Sequence, residues 1–287
     1  MVDPSSFYTL ESLNLIVDYS TVSDSPELRV AKITGLYLPV PPRPYEPEEE
    51  ESTQENYEPD SERKPMKIIG INASPRGKKS STLRLTNAVL AGAKEEGAET
   101  ELIDLYSLKV DYCTGCEACY VTGECTLFDD FPDVFQKMMD AEGIVLGAPN
   151  YIDSVPAPMK AFFDRMSDAI HCQMFTGKFG CSVCTAGGAG ESEVVGYMNK
   201  TLSTLGATIV GGIGVAIGRD PTALDRAESD ARVLGKKLVQ SIRGEINYPD
   251  QDAVHLKRRG YFCQVIKSDK QRFAHKYEWF EQMGWMS

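Results

Sequence analysis

Cys113, Cys116, Cys119 and Cys125 follow one another with the spacing C-x2-C-x2-C-x5-C. Thiolates two residues apart can wrap a small metal–sulfide cube, and a fourth ligand after a short loop closes it. Four cysteines also satisfy tetrahedral zinc, although structural zinc sites more often pair two separated C-x2-C knuckles. The chain carries eight cysteines, and four of them fall in this one run. Such density reads as metal or cluster chemistry rather than a disulfide framework. On these residues alone an iron–sulfur cluster, zinc and an empty motif all stay open.

A second polar cluster, Asn72-Ala-Ser-Pro-Arg-Gly-Lys-Lys-Ser-Ser-Thr82, follows an apolar run and opens an amphipathic one. Ser74, Ser80, Ser81 and Thr82 supply hydroxyls, the helix start supplies unpaired amides, and Arg76 adds a full positive charge. Helix dipole and free N–H groups both favour an anion, so the loop suits a phosphate monoester. It is neither a Walker loop nor a GxGxxG fingerprint, which disfavours a nucleoside triphosphate or a dinucleotide. The plainer reading is a capped helix start, with Ser80 or Ser81 bonded to free amides. Two further loops follow apolar runs. The first, Pro149, Asn150, Tyr151, Ile152, Asp153 and Ser154, continues as Val-Pro-Ala-Pro. A polar, Pro-rich loop at a strand's end makes a rigid wall for a flat ring, or else an ordinary strand-to-helix turn. In the second, Thr185, Ala186, Gly187 and Gly188, glycines let the backbone approach a ligand closely.

These segments together resemble the NADPH-dependent FMN reductase family. Ser74-Pro75-Arg76 followed by Ser80-Ser81-Thr82 looks like that family's FMN phosphate loop, with Lys79 and Ser80 where Gly and Asn are more usual. Residues 149–154 are similar to its second flavin loop, Ala161–Arg165 to the helix after it, and Thr185–Gly188 to the loop against the flavin's polar edge. The cysteine run resembles the motif of the iron–sulfur flavoproteins, a branch of the same family that carries a [4Fe-4S] cluster. The resemblance spans about residues 66–220. It implies that Ser74, Arg76, Ser80, Ser81 and Thr82 hold the FMN phosphate and that Pro149–Ser154 and Thr185–Gly188 line the ring. It also implies that Cys113, Cys116, Cys119 and Cys125 ligate the cluster, in a homodimer or homotetramer.

Positioning these groups requires strands ending where the loops begin. Strand candidates are Lys67–Asn72, Thr100–Asp104, Gly143–Gly147, Phe179–Thr185 and Ala207–Val215. Helix candidates are Ser81–Glu96, Pro132–Ala141, Ala157–Ile170, Glu191–Leu205 and Pro221–Arg243. Strands alternating with helices predict an α/β fold with a doubly wound, five-stranded parallel sheet. The cadence suggests the flavodoxin-like order 2-1-3-4-5, with ligands at the carboxyl ends of strands one and three. The expected division is an N-terminal extension (1–45, with strand-like runs Leu13–Tyr19 and Ala31–Leu38), an acidic linker (46–65), the ligand-binding domain (66–244) and a C-terminal extension (245–287). The stretch from Glu46 to Glu62 lacks any base, and self-repulsion keeps such a segment open.

The net charge of −12 argues against nucleic-acid or anionic-membrane partners. No apolar run is long enough to span a membrane, and no signal peptide is recognisable, so a cytoplasmic location is expected. Cys181 and Cys184 lie in a strand candidate, where residues three apart point to opposite faces, so they are expected to be buried and structural rather than a redox pair. Gly212, Gly214 and Gly218 lack dinucleotide spacing. His171, His255 and His275 are scattered, and the aromatic tail after residue 244 suits packing or a subunit contact. No side chain stands out as a general acid or base, as expected when cofactors carry the chemistry. Three functions follow. The first is an oxidoreductase whose cluster passes electrons between a ferredoxin-like partner and FMN. The second is a cluster-free NAD(P)H-dependent FMN or quinone reductase. The third is a non-catalytic flavin-containing subunit of a redox complex.

Overall fold

The computed structural model describes residues 66–218, 220 and 222–286, together with the strands Thr9–Leu10 and Leu15–Ile16. The chain divides into two units, Met1–Pro59 and Asp60–Ser287. In the first, the two short strands pair antiparallel, so Leu15–Ile16 falls inside the expected run Leu13–Tyr19. The run Ala31–Leu38 and the acidic stretch 46–65 lie outside the described residues.

The second unit is built on five strands: β1 (Lys67–Asn72), β2 (Glu99–Asp104), β3 (Gly143–Pro149), β4 (Phe179–Ala186) and β5 (Thr208–Ala216). All neighbours are parallel and the order is β2-β1-β3-β4-β5, as the alternation of elements predicts. Period-two side chains sort the core. Ile69, Ile71, Ile144 and Leu146 pack on one face under α3 (Phe131–Asp140), α4 (Ala157–Asp164) and α6 (Glu191–Thr204). Ile68, Val145 and Val183 pack on the other under α1 (Ser81–Glu95) and α7 (Ala223–Ile242). Cys181 and Cys184 fall in these two opposite clusters, both fully buried, and burial pushes both thiols up to about 12. They are packing groups, as expected.

α1 and α7 approach closely because a Cβ on Gly235 would stand 1.9 Å from the Val89 carbonyl oxygen, and one on Gly92 would stand 1.9 Å from that of Arg232. Between Gly180 and Cys181 the β4–β5 register shifts. At that point the Gln251 side-chain amide accepts from Ile209 N and donates to Ile209 O, both at 2.8 Å. Gln251 thereby imitates a neighbouring strand and closes this part of the sheet edge.

The single helix expected over Ala157–Ile170 is two: α4 ends at Asp164, and α5 spans Ser167–Cys172. Met166 N donates to Phe163 O at 3.0 Å, which tightens the turn. At this turn Arg165 is buried, with its guanidinium bound to Asp129 and Asp111. After β5 and α7, residues beyond 244 form α8 (Pro249–Ser268) and α9 (Ala274–Gln282), joined by a small core of Cys263, Ile266, Phe273 and Phe280. Among the described residues no helix is long and apolar enough to cross a membrane.

Candidate functional site

The carboxyl ends of β1, β3 and β4 bring the expected loops to one place. A cleft is lined by Ser74, Arg76, Ser80, Ser81, Thr82, Pro149, Asn150, Tyr151, Thr185, Ala186 and Gly187. Of the ring residues expected from sequence, Ile152, Asp153, Ser154 and Gly188 stand outside this lining. Ile217, just past β5, joins it; nothing in its local sequence marks it, because only the parallel order places that end beside β4.

The phosphate-loop geometry reconciles both sequence readings. Ser80 caps α1, its Oγ accepting from Leu83 N at 3.0 Å. This leaves the amides of Ser81 and Thr82, at the first turn, without intrahelical acceptors. The Thr82 and Thr185 hydroxyls hydrogen-bond at 2.6 Å, tying the first loop to the third. Asn150 N donates to Thr185 O at 2.8 Å, and Asn150 Nδ2 donates to Ala189 O at 2.8 Å, tying the second loop to the third. Arg76 is exposed and, among the described residues, has no ion-pair partner. Fully buried Asn72, at the end of β1, has hydrogen-bond partners for neither polar atom of its side chain.

The ring loop is strained. Tyr151 N donates to Ser154 O and Ser154 N to Tyr151 O, at 2.9 and 3.2 Å, closing a tight turn. Its two central residues, Ile152 and Asp153, have φ of +53° and +52°. The left-handed region costs an L-residue roughly 1–2 kcal/mol, and most for a β-branched one. Such strain clusters at ligand clamps. Ile152 is also 99% exposed, so no packing within the chain offsets that cost. Opposite, a Cβ on Gly187 or Gly188 would meet nothing within 4 Å, which leaves open space over the glycine loop.

The four cysteines line a second cavity, together with Glu117, Tyr120, Leu127, Arg165 and Ser167. All four thiols are free. The Cys116 thiol is held below its ordinary value, first by the amide of Ala118 and then by the hydroxyls of Thr126 and Thr114. Burial, and next the charge of Asp168, push the half-buried Cys119 thiol up. Arg165 is the cationic wall of this cavity. Its Nη1 and Nη2 lie 2.5 and 3.2 Å from the two carboxylate oxygens of Asp129, and Nη1 also donates to Asp111 O at 3.0 Å. Neither charged side chain is exposed. Burial pulls the guanidinium down, but Asp129 and the charge of Cys125 outweigh it and hold Arg165 above its ordinary value. Four free thiols around a cavity with a buried cation at its wall suit an anionic metal–thiolate group. In sequence, helix α4 runs between the two sites: it follows the ring loop and ends at Asp164, the residue before Arg165. Eight residues at 1.5 Å rise make it about 12 Å long.

Sequence reasoning missed Arg165 and the C-terminal layer behind the cysteines. Arg165 could have been found as one of two adjacent charges in an otherwise apolar stretch, Ala161-Phe-Phe-Asp-Arg-Met166. Nothing local marks the C-terminal residues.

Residues 66–222 match the model of the family described as NADPH-dependent FMN reductase. An iron–sulfur flavoprotein of Archaeoglobus fulgidus is 31% identical over 226 residues, covering 77% of this chain and 100% of that protein. An iron–sulfur flavoprotein of Methanocaldococcus jannaschii is 32% identical over 191 residues, covering 62% of this chain and 98% of that one. Among solved structures, an NAD(P)H:quinone oxidoreductase from Methanothermobacter marburgensis shares the fold with a TM-score of 0.51 at 18% identity, over 64% of this chain and 100% of that one.

Proposed function

This chain belongs to the NADPH-dependent FMN reductase family, in its iron–sulfur flavoprotein branch, and from that premise we propose that it is a flavin-dependent oxidoreductase passing electrons between a one-electron, ferredoxin-like partner and FMN through a [4Fe-4S] cluster. The observation that supports the reading is that one folded unit carries both a cleft lined by the phosphate-loop residues and a cavity lined by all four cysteines and the buried Arg165. When bound, FMN supplies a centre that takes electrons singly or in pairs, and the cluster supplies one that takes them singly.

The chain's own part is to bind, orient and shield. Arg76, the Ser74, Ser80 and Ser81 hydroxyls and the free amides at the start of α1 hold the FMN phosphate. The Thr82–Thr185 bond fixes the phosphate loop against the glycine loop. Pro149–Ser154 and Thr185–Gly188 border the ring, with Ile152 displayed on the strained turn. Cys113, Cys116, Cys119 and Cys125 ligate the cluster, and Arg165 faces Cys125 with a charge that favours thiolate. The protein acts in the cytoplasm, as a homo-oligomer, with a ferredoxin-like protein or NAD(P)H as its redox partner.

Anaerobic purification followed by iron, sulfide and FMN analysis tests this. About four irons and four sulfides per FMN, lost together in Cys116→Ser, support the reading. FMN without iron refutes the cluster and leaves an NAD(P)H-dependent flavin or quinone reductase, which NADH and NADPH oxidation would then test.

A further inference from the structure

The family match stops at residue 222, yet the chain beyond it grips the cysteine loop. A short helix, α2 (Ala118–Thr122), carries Cys119, and the α8–α9 segment meets it at three places. At its start, Arg272 Nε and Nη2 donate to the two carboxylate oxygens of Glu117 at 2.9 and 2.6 Å. At its end, the His275 ring stands 2.6 Å from where a Cβ on Gly123 would be. In the middle, Lys276 Nζ lies 2.9 Å from the centroid of the Tyr120 ring. The first contact is exposed and screened by solvent. Lys276 is not, being fully buried.

A buried ammonium ordinarily has a carboxylate in direct contact. Here the nearer oxygen of Asp168 is 3.9 Å from Lys276, while the other lies 3.0 Å from His275 Nδ1. The remaining neighbours are His171 Nδ1 and the faces of Tyr120 and Phe273. His171 carries no charge at neutral pH, since burial and then Lys276 lower it to about 4. Burial lowers Lys276 to about 8, with Asp168 and then the thiols of Cys172 and Cys119 acting against that fall. Lys276 is thus a buried cation whose compensation is incomplete, within electrostatic reach of Cys119.

Asp168, Cys172 and His275 also bring ligand atoms within 4.8 Å of one another. An ammonium beside Asp168 opposes a divalent cation there, and burial holds the Cys172 thiol protonated. What this corner lacks is an anion. Four thiolates around an oxidised [4Fe-4S] core make a doubly negative group, and one electron from an external donor adds a third charge without adding a proton.

We propose that Lys276 is the charge-compensating residue of the cluster held by Cys113, Cys116, Cys119 and Cys125, so that the C-terminal helix α9 sets the cluster's reduction potential. The proposal rests on the cluster reading above. Arg165 acts on Cys125 but is neutralised by its two-pronged pair with Asp129. Lys276 has no such close counter-ion, so its field falls on the cluster. Asp168, the carboxylate nearest Lys276, acts in the opposite sense on Cys119.

The test is an electron-paramagnetic-resonance redox titration of the full, anaerobically purified chain, with iron and sulfide measured on every sample. Lys276→Met lowers the equilibrium constant for cluster reduction at least tenfold, which is 59 mV for one electron. Asp168→Asn raises it, and the double variant returns it towards wild type. Lys270→Met removes an exposed cation from the α8–α9 turn and leaves it unchanged. If Lys276→Met does not fold, the Asp168→Asn and double variants still read the charge dependence. An iron-loaded Lys276→Met chain that titrates at the wild-type potential overturns the proposal. So does a set in which removing the positive and the negative group shifts the potential the same way. A wild-type chain without iron and sulfide overturns the cluster reading itself, and this inference with it.

Discussion

Replacing Asp129 by alanine removes four hydrogen bonds at one buried point. The carboxylate accepts from Arg165 Nη1 and Nη2 at 2.5 and 3.2 Å, from Asp111 N at 2.7 Å and from Phe131 N at 3.1 Å. Both charged side chains are shielded from solvent, so the truncated variant keeps a buried guanidinium without its counter-ion. Removing one partner of such a pair costs about 3–5 kcal/mol. The orphaned amides do not add fully to this, because they share the same water-filled gap. At roughly 2–4 °C per kcal/mol for a unit of this size, the melting temperature falls by about 6–20 °C. Asp129→Asn keeps the shape and loses the charge, and falls between the two. Burial raises the Asp129 carboxyl, but Arg165 and the two amides outweigh it and hold the group below its ordinary value. Its contribution is therefore present above about pH 4 and lost as the pH falls through the folded value. Urea denaturation of the cofactor-free chain, wild type against Asp129→Asn from pH 7 to pH 3, measures both effects. The difference narrows with acid. A difference under about 1 kcal/mol at pH 7, or one that stays constant down to pH 3, refutes the assignment of a stabilising buried pair.

Arg76→Ala weakens FMN binding about tenfold to a hundredfold, the worth of a charge-assisted hydrogen bond, and leaves riboflavin binding unchanged; flavin fluorescence titrations distinguish the two. Ile152→Gly removes left-handed strain from an exposed β-branched residue, so the flavin-free chain melts unchanged or is steadier by up to about 1 kcal/mol. The same variant binds FMN several-fold more weakly, and loss of stability in the flavin-free chain would count against the strain argument. Gly235→Ala drives a methyl into the Val89 carbonyl and destabilises the α1–α7 contact by about 1–3 kcal/mol, readable in urea denaturation.

Much of this protein is written in short-range pattern. The sheet follows from five short apolar runs separated by amphipathic segments, and β1 begins and ends where the sequence places it. The phosphate loop, the glycine loop and the cysteine run each lie within about a dozen consecutive residues. Their chemistry is visible because backbone spacing alone brings those groups together. Cys181 and Cys184 were legible for the same reason, since strand periodicity sends them to opposite faces. What tertiary structure decided are meetings between residues far apart in sequence. The break between α4 and α5 reflects Arg165 turning towards Asp129, thirty-six positions earlier, which helical periodicity cannot anticipate. Ile217 reaches the cleft only because β5 lies beside β4. The aromatic tail after residue 244 reads as generic packing in sequence. Folded back, it puts Lys276 over Tyr120 and His275 against Gly123. Burial and opposing charge select those contacts, and both depend on which surfaces the completed sheet leaves to be covered.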